Sequence, residues 1–227
     1  EDALVCLPKN EVIQINQAVQ TEGMVLPTQV IDYFIDKSNY RAIMNFCMCR
    51  DSNRCKDYPR EYGCLFLGEA AKGIHPDLCR PVSKEEAKAY VMKCREAGLV
   101  HIVGKAYFDC VWLDTAPHTR LFTICNCCPC CCISTATKYM PSDFTDWFHR
   151  MPGVSVRIGD DCMACGACVD QCIYNGIVVQ GDRAVITEHC RACGRCAQAC
   201  PQQAIHVTID DVNYVQRTIA FLEPRVD

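Results

Sequence analysis

The 227-residue chain carries a formal net charge of −4, half of its residues are apolar and 22% are charged. That balance belongs to a folded globular protein, so disorder is excluded, and a general nucleic-acid binder would carry a basic excess that is missing here. No apolar run of about 18 residues occurs, so no membrane span is expected, and the opening Glu1 in place of a methionine leaves room for an upstream segment. In chain order, Thr28–Lys37 reads as a helix, with Val30, Ile31, Phe34 and Ile35 on one apolar face. Ala42–Phe46 is a strand-like apolar run. Ser83 with Glu86 three residues on forms a capping box, which opens a helix that stops at Gly98, and Leu99–Val103 follows as a strand. Leu121–Ile124 is a second strand-like run. Met151-Pro152-Gly153 is a joint, and beyond it short strands are expected at Val154–Ile158, Ile177–Val179, Ala184–Ile186 and Ala204–Ile209, with a turn at Gly181-Asp182. The expected fold class is α+β: a larger cysteine-rich α/β domain over residues 1–150, then a small repeated unit over 151–227.

Cysteine is the compositional outlier, with 22 in 227 residues, 18 of them in four tight groups. Disulfides usually join distant residues. Neighbours such as Cys127-Cys128 and Cys130-Cys131-Cys132 cannot readily bridge one another, whereas metal clusters need several thiolates in one loop. Metal sites are therefore expected, in a reducing, oxygen-poor and cytoplasmic setting.

Two runs stand out: Cys162, Cys165, Cys168, Cys172 and Cys190, Cys193, Cys196, Cys200. Both follow C-x2-C-x2-C-x3-C with Gly166 or Gly194 after the second cysteine, and they repeat at an offset of 28 residues. The short spacings let one loop wrap three corners of an iron–sulfur cube, and soft thiolate suits its irons. Four-cysteine zinc sites are the alternative, although zinc motifs seldom interlock in this way. Gly166 and Gly194 are candidate cofactor-binding residues, because a residue without Cβ lets backbone N–H groups approach cluster sulfur.

Over about residues 154–210, these runs and the Cys200-Pro201 pair resemble the bacterial-type two-cluster ferredoxins. Cys172 departs from that pattern, being followed by Ile173. The resemblance implies a pseudo-twofold fold with two low-potential [4Fe–4S] clusters and crossed ligation. One cluster would take Cys162, Cys165, Cys168 and Cys200; the other would take Cys190, Cys193, Cys196 and Cys172.

The upstream groups are less specific. Cys47, Cys49, Cys55 and Cys64 suffice for one cluster. Cys125, Cys127, Cys128 and Cys130, with Cys131 and Cys132, place six thiols in eight residues. Ten thiols are enough for two clusters with spares or one larger cluster; a single structural zinc among buried thiols is the alternative. One or more further iron–sulfur clusters are expected here. If Ala42–Phe46 and Leu121–Ile124 are neighbouring strands, both thiol sets leave the sheet at the same edge. The segments Gly63-Cys64-Leu65-Phe66-Leu67-Gly68 and Cys125–Cys132 are similar to those of anaerobe proteins described only as iron–sulfur binding.

Cys6, Cys79, Cys94 and Cys110 read as structural. His189, beside Cys190, reads as an ordinary loop imidazole. Arg191 and Arg195 read as solvated surface, with docking of an acidic partner as their functional alternative. No nucleotide-binding glycine motif, haem-attachment motif or serine-hydrolase elbow is present. The leading expectation is an electron-transfer protein, or a subunit of a larger complex, that relays low-potential electrons between redox partner proteins in anaerobic metabolism, with catalytic residues unassigned. A self-contained reductase with an N-terminal catalytic cluster fed by the ferredoxin unit is one alternative. A cluster carrier or redox sensor is another.

Overall fold

The computed structural model describes residues 2–10, 13–15, 27–140 and 147–225. Twelve strands lie among them: β1 (Ala3–Cys6), β2 (Ile13–Ile15), β3 (Arg41–Met44), β4 (Leu65–Leu67), β5 (Cys79–Pro81), β6 (Val100–Lys105), β7 (Phe122–Cys127), β8 (Phe148–Arg150), β9 (Val154–Ile158), β10 (Ile177–Gln180), β11 (Arg183–Ile186) and β12 (Ile205–Ile209). The seven-stranded sheet runs β5-β3-β4-β7-β6-β1-β8. Every pairing in it is antiparallel except β1 with β8. The class is mixed α+β. The α/β layering expected upstream is realised as a largely antiparallel sheet, because the helix after β5 leads to β6, four places away, and not to a parallel neighbour.

The helices follow local signals. Helix α1 (Thr28–Lys37) buries Val30, Ile31, Phe34 and Ile35, the stripe expected from its periodicity. Between it and the capped helix lies the short α2 (Met48–Ser52). In α3 (Lys84–Glu96), the Ser83 hydroxyl accepts the Glu86 N–H at 3.1 Å, which satisfies one orphan donor of the first turn. The following α4 (Tyr107–Leu113) connects β6 to β7.

Strand alternation splits the sheet chemically. Val5, Ile43, Leu65, Leu67, Val103, Phe122 and Ile124 face a core shared with α1 and with Val207, Tyr214 and Leu222 from the C-terminal region. Cys6, Ile102 and Cys127 lie in a second cluster, with Cys128 and Cys132 beside them and Cys125 partly buried against it. Thus one face is aliphatic and aromatic, and part of the other is lined with sulfur.

The C-terminal repeat forms two strand pairs. Strands β9 and β12 pair antiparallel, with β2 added on the far side of β12, and β10 and β11 form the hairpin expected around Gly181-Asp182. Short helices α5 (Ala167–Asp170) and α6 (Arg195–Ala199) follow the cysteine loops. The final α7 (Tyr214–Leu222) packs on α1, and the Glu223 carboxylate accepts from Tyr33 and Lys37. The Met151–Gly153 turn joins β8 of the large sheet to β9 of the three-stranded one. The 28-residue repeat recurs in the backbone: left-handed residues sit at Ala164 and Ala192, at Gly166 and Gly194, and at Asn175 and Gln203.

The closest approach in the large sheet is at Gly104, where φ is +149° and an added Cβ would lie 2.0 Å from the Ala3 carbonyl oxygen. Gly104→Ala is expected to destabilise the protein by about 3 kcal/mol, combining backbone strain with a forced shift of β1. Urea unfolding under anoxic conditions measures this. A midpoint equal to wild type would contradict the β1–β6 register.

Candidate metal centre

Strand direction gathers the upstream thiols. Strands β3 and β7 are not the neighbours that the sequence suggested; β4 lies between them, antiparallel to both. Two reversals leave β3 and β7 pointing the same way, so Cys47 just after β3, Cys64 just before β4 and Cys127 at the end of β7 meet at one sheet edge. In β7, the C-x-C spacing places Cys125 and Cys127 on one face. Extending the Leu65–Ile124 pairing by one residue puts Cys64 opposite Cys125, and their sulfurs are 3.6 Å apart.

These thiols form one largely buried group. Cys132 Sγ lies 3.1 Å from Cys127 Sγ, and the Ser134 hydroxyl donates to Cys132 Sγ at 2.9 Å. Cys49 interacts with both Cys132 and Cys47. Hydrogen bonds from the Cys125 and Cys132 thiols draw the Cys127 thiol down to about 6, against the effect of burial and with help from Arg195. The hydrogen bond with Cys49, followed by burial, pushes Cys47 upward. The group therefore comprises Cys47, Cys49, Cys64, Cys125, Cys127 and Cys132.

A second group is closer to the surface. The sulfurs of Cys55, Cys128, Cys130 and Cys131 all lie within 4.8 Å of one another, the only such set among the described residues. The Cys131 N–H donates to Cys128 Sγ at 3.3 Å, which tightens the loop. Cys130 is exposed and Cys128 fully buried, so the group spans from interior to solvent. The four upstream thiols at 47, 49, 55 and 64 are thus not brought together as one set: Cys55 follows the turn after α2 to the Cys128–Cys131 loop, 3.6 Å from Cys130. Cys131 and Cys132 join the two groups alongside the candidate ligands Cys125, Cys127, Cys128 and Cys130. Spacing within a run of six thiols carries no signal that separates them.

In the C-terminal repeat, Cys162, Cys165, Cys168 and Cys200 line one small cavity of about 20 Å³ with Gly166 and Pro201. Three come from the first run and one from the second. All four donors are soft thiols, the ligand type that suits the irons of a cluster. Backbone N–H groups of Ala184 and Ala164 hold the Cys162 thiol below its usual range. The other four are electrostatic neighbours: Cys190, Cys193 and Cys172 all act on Cys196, whose thiol burial pushes upward. Gly176 N–H donates to Cys172 Sγ at 3.1 Å, and Ala192 N–H to Cys190 Sγ at 3.4 Å. Gly166 (φ +80°) and Gly194 (φ +84°) adopt the left-handed conformation that turns each loop into its helix.

The two loops differ in setting. In the first, Met163 is 66% exposed and Cys165 is exposed. The second is packed inside the molecule, where Lys9 N–H donates to the Cys193 carbonyl. This packing overturns the solvated-surface and docking readings of Arg191 and Arg195, which are 8% and 4% exposed. Arg195 donates to the Cys127 carbonyl and lies beside Cys193, so it links the second loop to the buried thiol group. Arg50, 1% exposed, donates to the carbonyls of Pro59, Tyr62 and Asn126 and lies beside Cys47, Cys127 and Cys128. Neither guanidinium pairs with a carboxylate among the described residues. Sequence patterning marked neither as buried.

The isolated cysteines are all buried. Cys94 joins Ala87 and Val91 on the inner face of α3, and Cys6 Sγ is 3.1 Å from the Tyr174 hydroxyl. Burial pushes both thiols up to about 12. A cleft of about 280 Å³ between α1 and the turn at Gly68 is lined by no cysteine.

The family model described as 4Fe-4S binding domain matches residues 184–206, which take in Cys190, Cys193, Cys196 and Cys200. No curated protein and no solved structure matches the chain. The match and the close thiol group together support iron–sulfur binding and point to electron transfer.

An added Cβ at Gly176 would lie 2.5 Å from Cys190 Cα and 2.9 Å from its nitrogen. Gly176→Ala is therefore expected to part Cys190 from Cys172 and to lower the iron bound per chain. Iron analysis with EPR of the reduced protein reads this; an unchanged iron count refutes it. Cys131→Ser is expected to lower metal content, whereas Cys94→Ser retains it and costs about 2 kcal/mol of stability through a buried hydroxyl.

Proposed function

We propose that the chain is an iron–sulfur electron-transfer protein in which the C-terminal repeat holds two [4Fe–4S] clusters and the upstream thiols hold one or more further clusters. The observation that carries this reading is the cavity at which Cys200, from the second run, meets Cys162, Cys165 and Cys168, from the first. Interlaced ligands of this kind favour a pair of cubes over two independent zinc sites. The second set is Cys190, Cys193, Cys196 and Cys172. Upstream, Cys55, Cys128, Cys130 and Cys131 form one candidate ligand set, and the buried group around Cys127 forms another. Bound clusters supply one-electron carriers of low potential, near about −400 mV for ferredoxin types.

The chain's own residues give this relay a direction. The first loop, with exposed Met163 and Cys165, is the face on which a redox partner protein docks. The second loop faces inward, and Arg195 connects it to the thiols at the sheet edge. Exposed Cys130 returns the path to the surface. Residues 1–150 and 151–227 act in this reading as acceptor and donor halves about the Met151–Gly153 turn. No helix among the described residues is long and apolar enough to cross a membrane. The thiol density suits a reducing, oxygen-poor and cytoplasmic compartment.

A self-contained reductase is the second reading. It is favoured by a cleft that opens between the Cys128–Cys131 loop and α6, lined by Pro129 and Arg195.

Anoxic iron and sulfide analysis with EPR tests the proposal. About twelve to sixteen irons per chain are expected, with reduced-cluster signals; about eight would confine the clusters to the C-terminal repeat. Colourless, iron-free protein holding zinc at these cysteines would overturn the reading. Reduction without turnover of any added acceptor would remove the reductase alternative.

A further inference from the structure

The thiol group nearer the surface has a spacing that sets it apart. The sulfurs of Cys55, Cys128, Cys130 and Cys131 all lie within 4.8 Å of one another, and those of Cys55 and Cys130 are 3.6 Å apart. Four thiolates on one ion, with metal–sulfur bonds of about 2.3 Å, form a tetrahedron with edges of about 3.8 Å. In a [4Fe–4S] cube each thiolate sits on a different iron and points away from the cube centre, so its four sulfurs stand well beyond that edge. The same molecule supplies the comparison. Among the described residues no other set of three or more cysteines comes within 4.8 Å of one another, the eight of the C-terminal repeat included.

The surrounding backbone is shaped for ligating sulfur. The N–H groups of Asp57 and Tyr58 point back at Cys55 Sγ, and the Cys131 N–H donates to Cys128 Sγ at 3.3 Å. Such donors orient a ligating thiolate and offset part of its charge. Four thiolates around a divalent ion keep a net negative charge, and the Arg50 guanidinium lies beside Cys128 to balance it. Cys128 is fully buried and Cys130 is exposed, so an ion can enter from solvent at one vertex. All four donors are soft, a set that selects zinc or iron over hard cations. We propose that Cys55, Cys128, Cys130 and Cys131 hold a single tetrahedral ion, zinc or ferrous iron, and not a cluster. This narrows the reading of the upstream thiols as metal ligands, on which it rests, and leaves the deeper group around Cys127 as the place for a further cluster. The ion ties the turn after α2 to the loop after β7.

The test uses the full chain, purified without oxygen, with iron, zinc and acid-labile sulfide counted on the same samples. A cube brings iron and sulfide in equal numbers, whereas a mononuclear site brings metal and no sulfide. Iron plus zinc is therefore expected to exceed sulfide by about one per chain. Zinc analysis, and the high-spin ferric EPR signal after mild oxidation, tell which ion is bound. Cys130→Ser and Cys55→Ser alter an exposed and a partly exposed side chain. Each is expected to reduce the excess with sulfide unchanged, and the double variant to remove it. Iron and sulfide falling together by about four in these variants would place a cluster at this site and overturn the proposal. Metal equal to sulfide in the wild-type protein overturns it too, as does an excess that the variants leave unchanged. A Cys55–Cys130 disulfide found by mass spectrometry in the anoxic protein has the same consequence. The sulfide count separates the two conclusions: one bound metal in protein without sulfide refutes the cluster reading alone, and sulfide-loaded protein without excess metal refutes the mononuclear site alone.

Discussion

Two positive charges buried among thiols are the constraint around which the sulfur layer is organised. Arg50 and Arg195 sit inside the molecule with no carboxylate beside them among the described residues, and backbone carbonyls take only part of their hydrogen-bonding capacity. An isolated cation in such a place is strongly disfavoured, and deprotonated sulfur is the compensating charge at hand. The arrangement works in both directions. Each guanidinium favours thiolate over thiol in its neighbours, as at Cys127, and each thiolate makes the burial of the guanidinium tolerable. Sulfur and arginine therefore form one electrostatic unit, whose natural completion is a soft metal group held by the thiolates.

The sheet supplies the geometry that this unit needs. With β4 between them, β3 and β7 point the same way, and thiols separated by some eighty residues arrive at one edge. The C-terminal repeat then packs its second loop against the same layer through Lys9 and Arg195 and leaves its first loop at the surface. Two near-identical sequence runs thereby acquire different surroundings, one wet and one dry. Burial and hydrogen bonding to sulfur are the main levers on cluster potential, so equal ligands need not give equal carriers.

Much of this was legible from local signals. The apolar stripe of α1 and the Ser83 cap of α3 are set by interactions within a few residues, and both elements lie where the pattern placed them. The hairpin at Gly181-Asp182 was equally readable. Long-range placement was not. Cys55 lies nearer in sequence to Cys49 and Cys64 than to Cys130, yet it meets Cys130, because the turn after α2 and the strand order decide its neighbours. Arg195 looks like a surface residue in a short helix, and it is buried because the end of β7 and the Lys9 segment pack against its loop. Spacing identifies a ligand set when one loop wraps the metal, but it fails when the loops come from different strands.

The mirrored left-handed residues have a thermodynamic meaning of their own. Ala164 and Ala192 hold a conformation that costs an L-residue about 1–2 kcal/mol, and Asn175 and Gln203 repeat it after each run. Bonds from the same loops to the proposed clusters would repay that tension. If these loops hold the proposed clusters, the metal-free loops have reason to relax toward ordinary backbone angles, and assembly of the cofactor and completion of the native fold become one event.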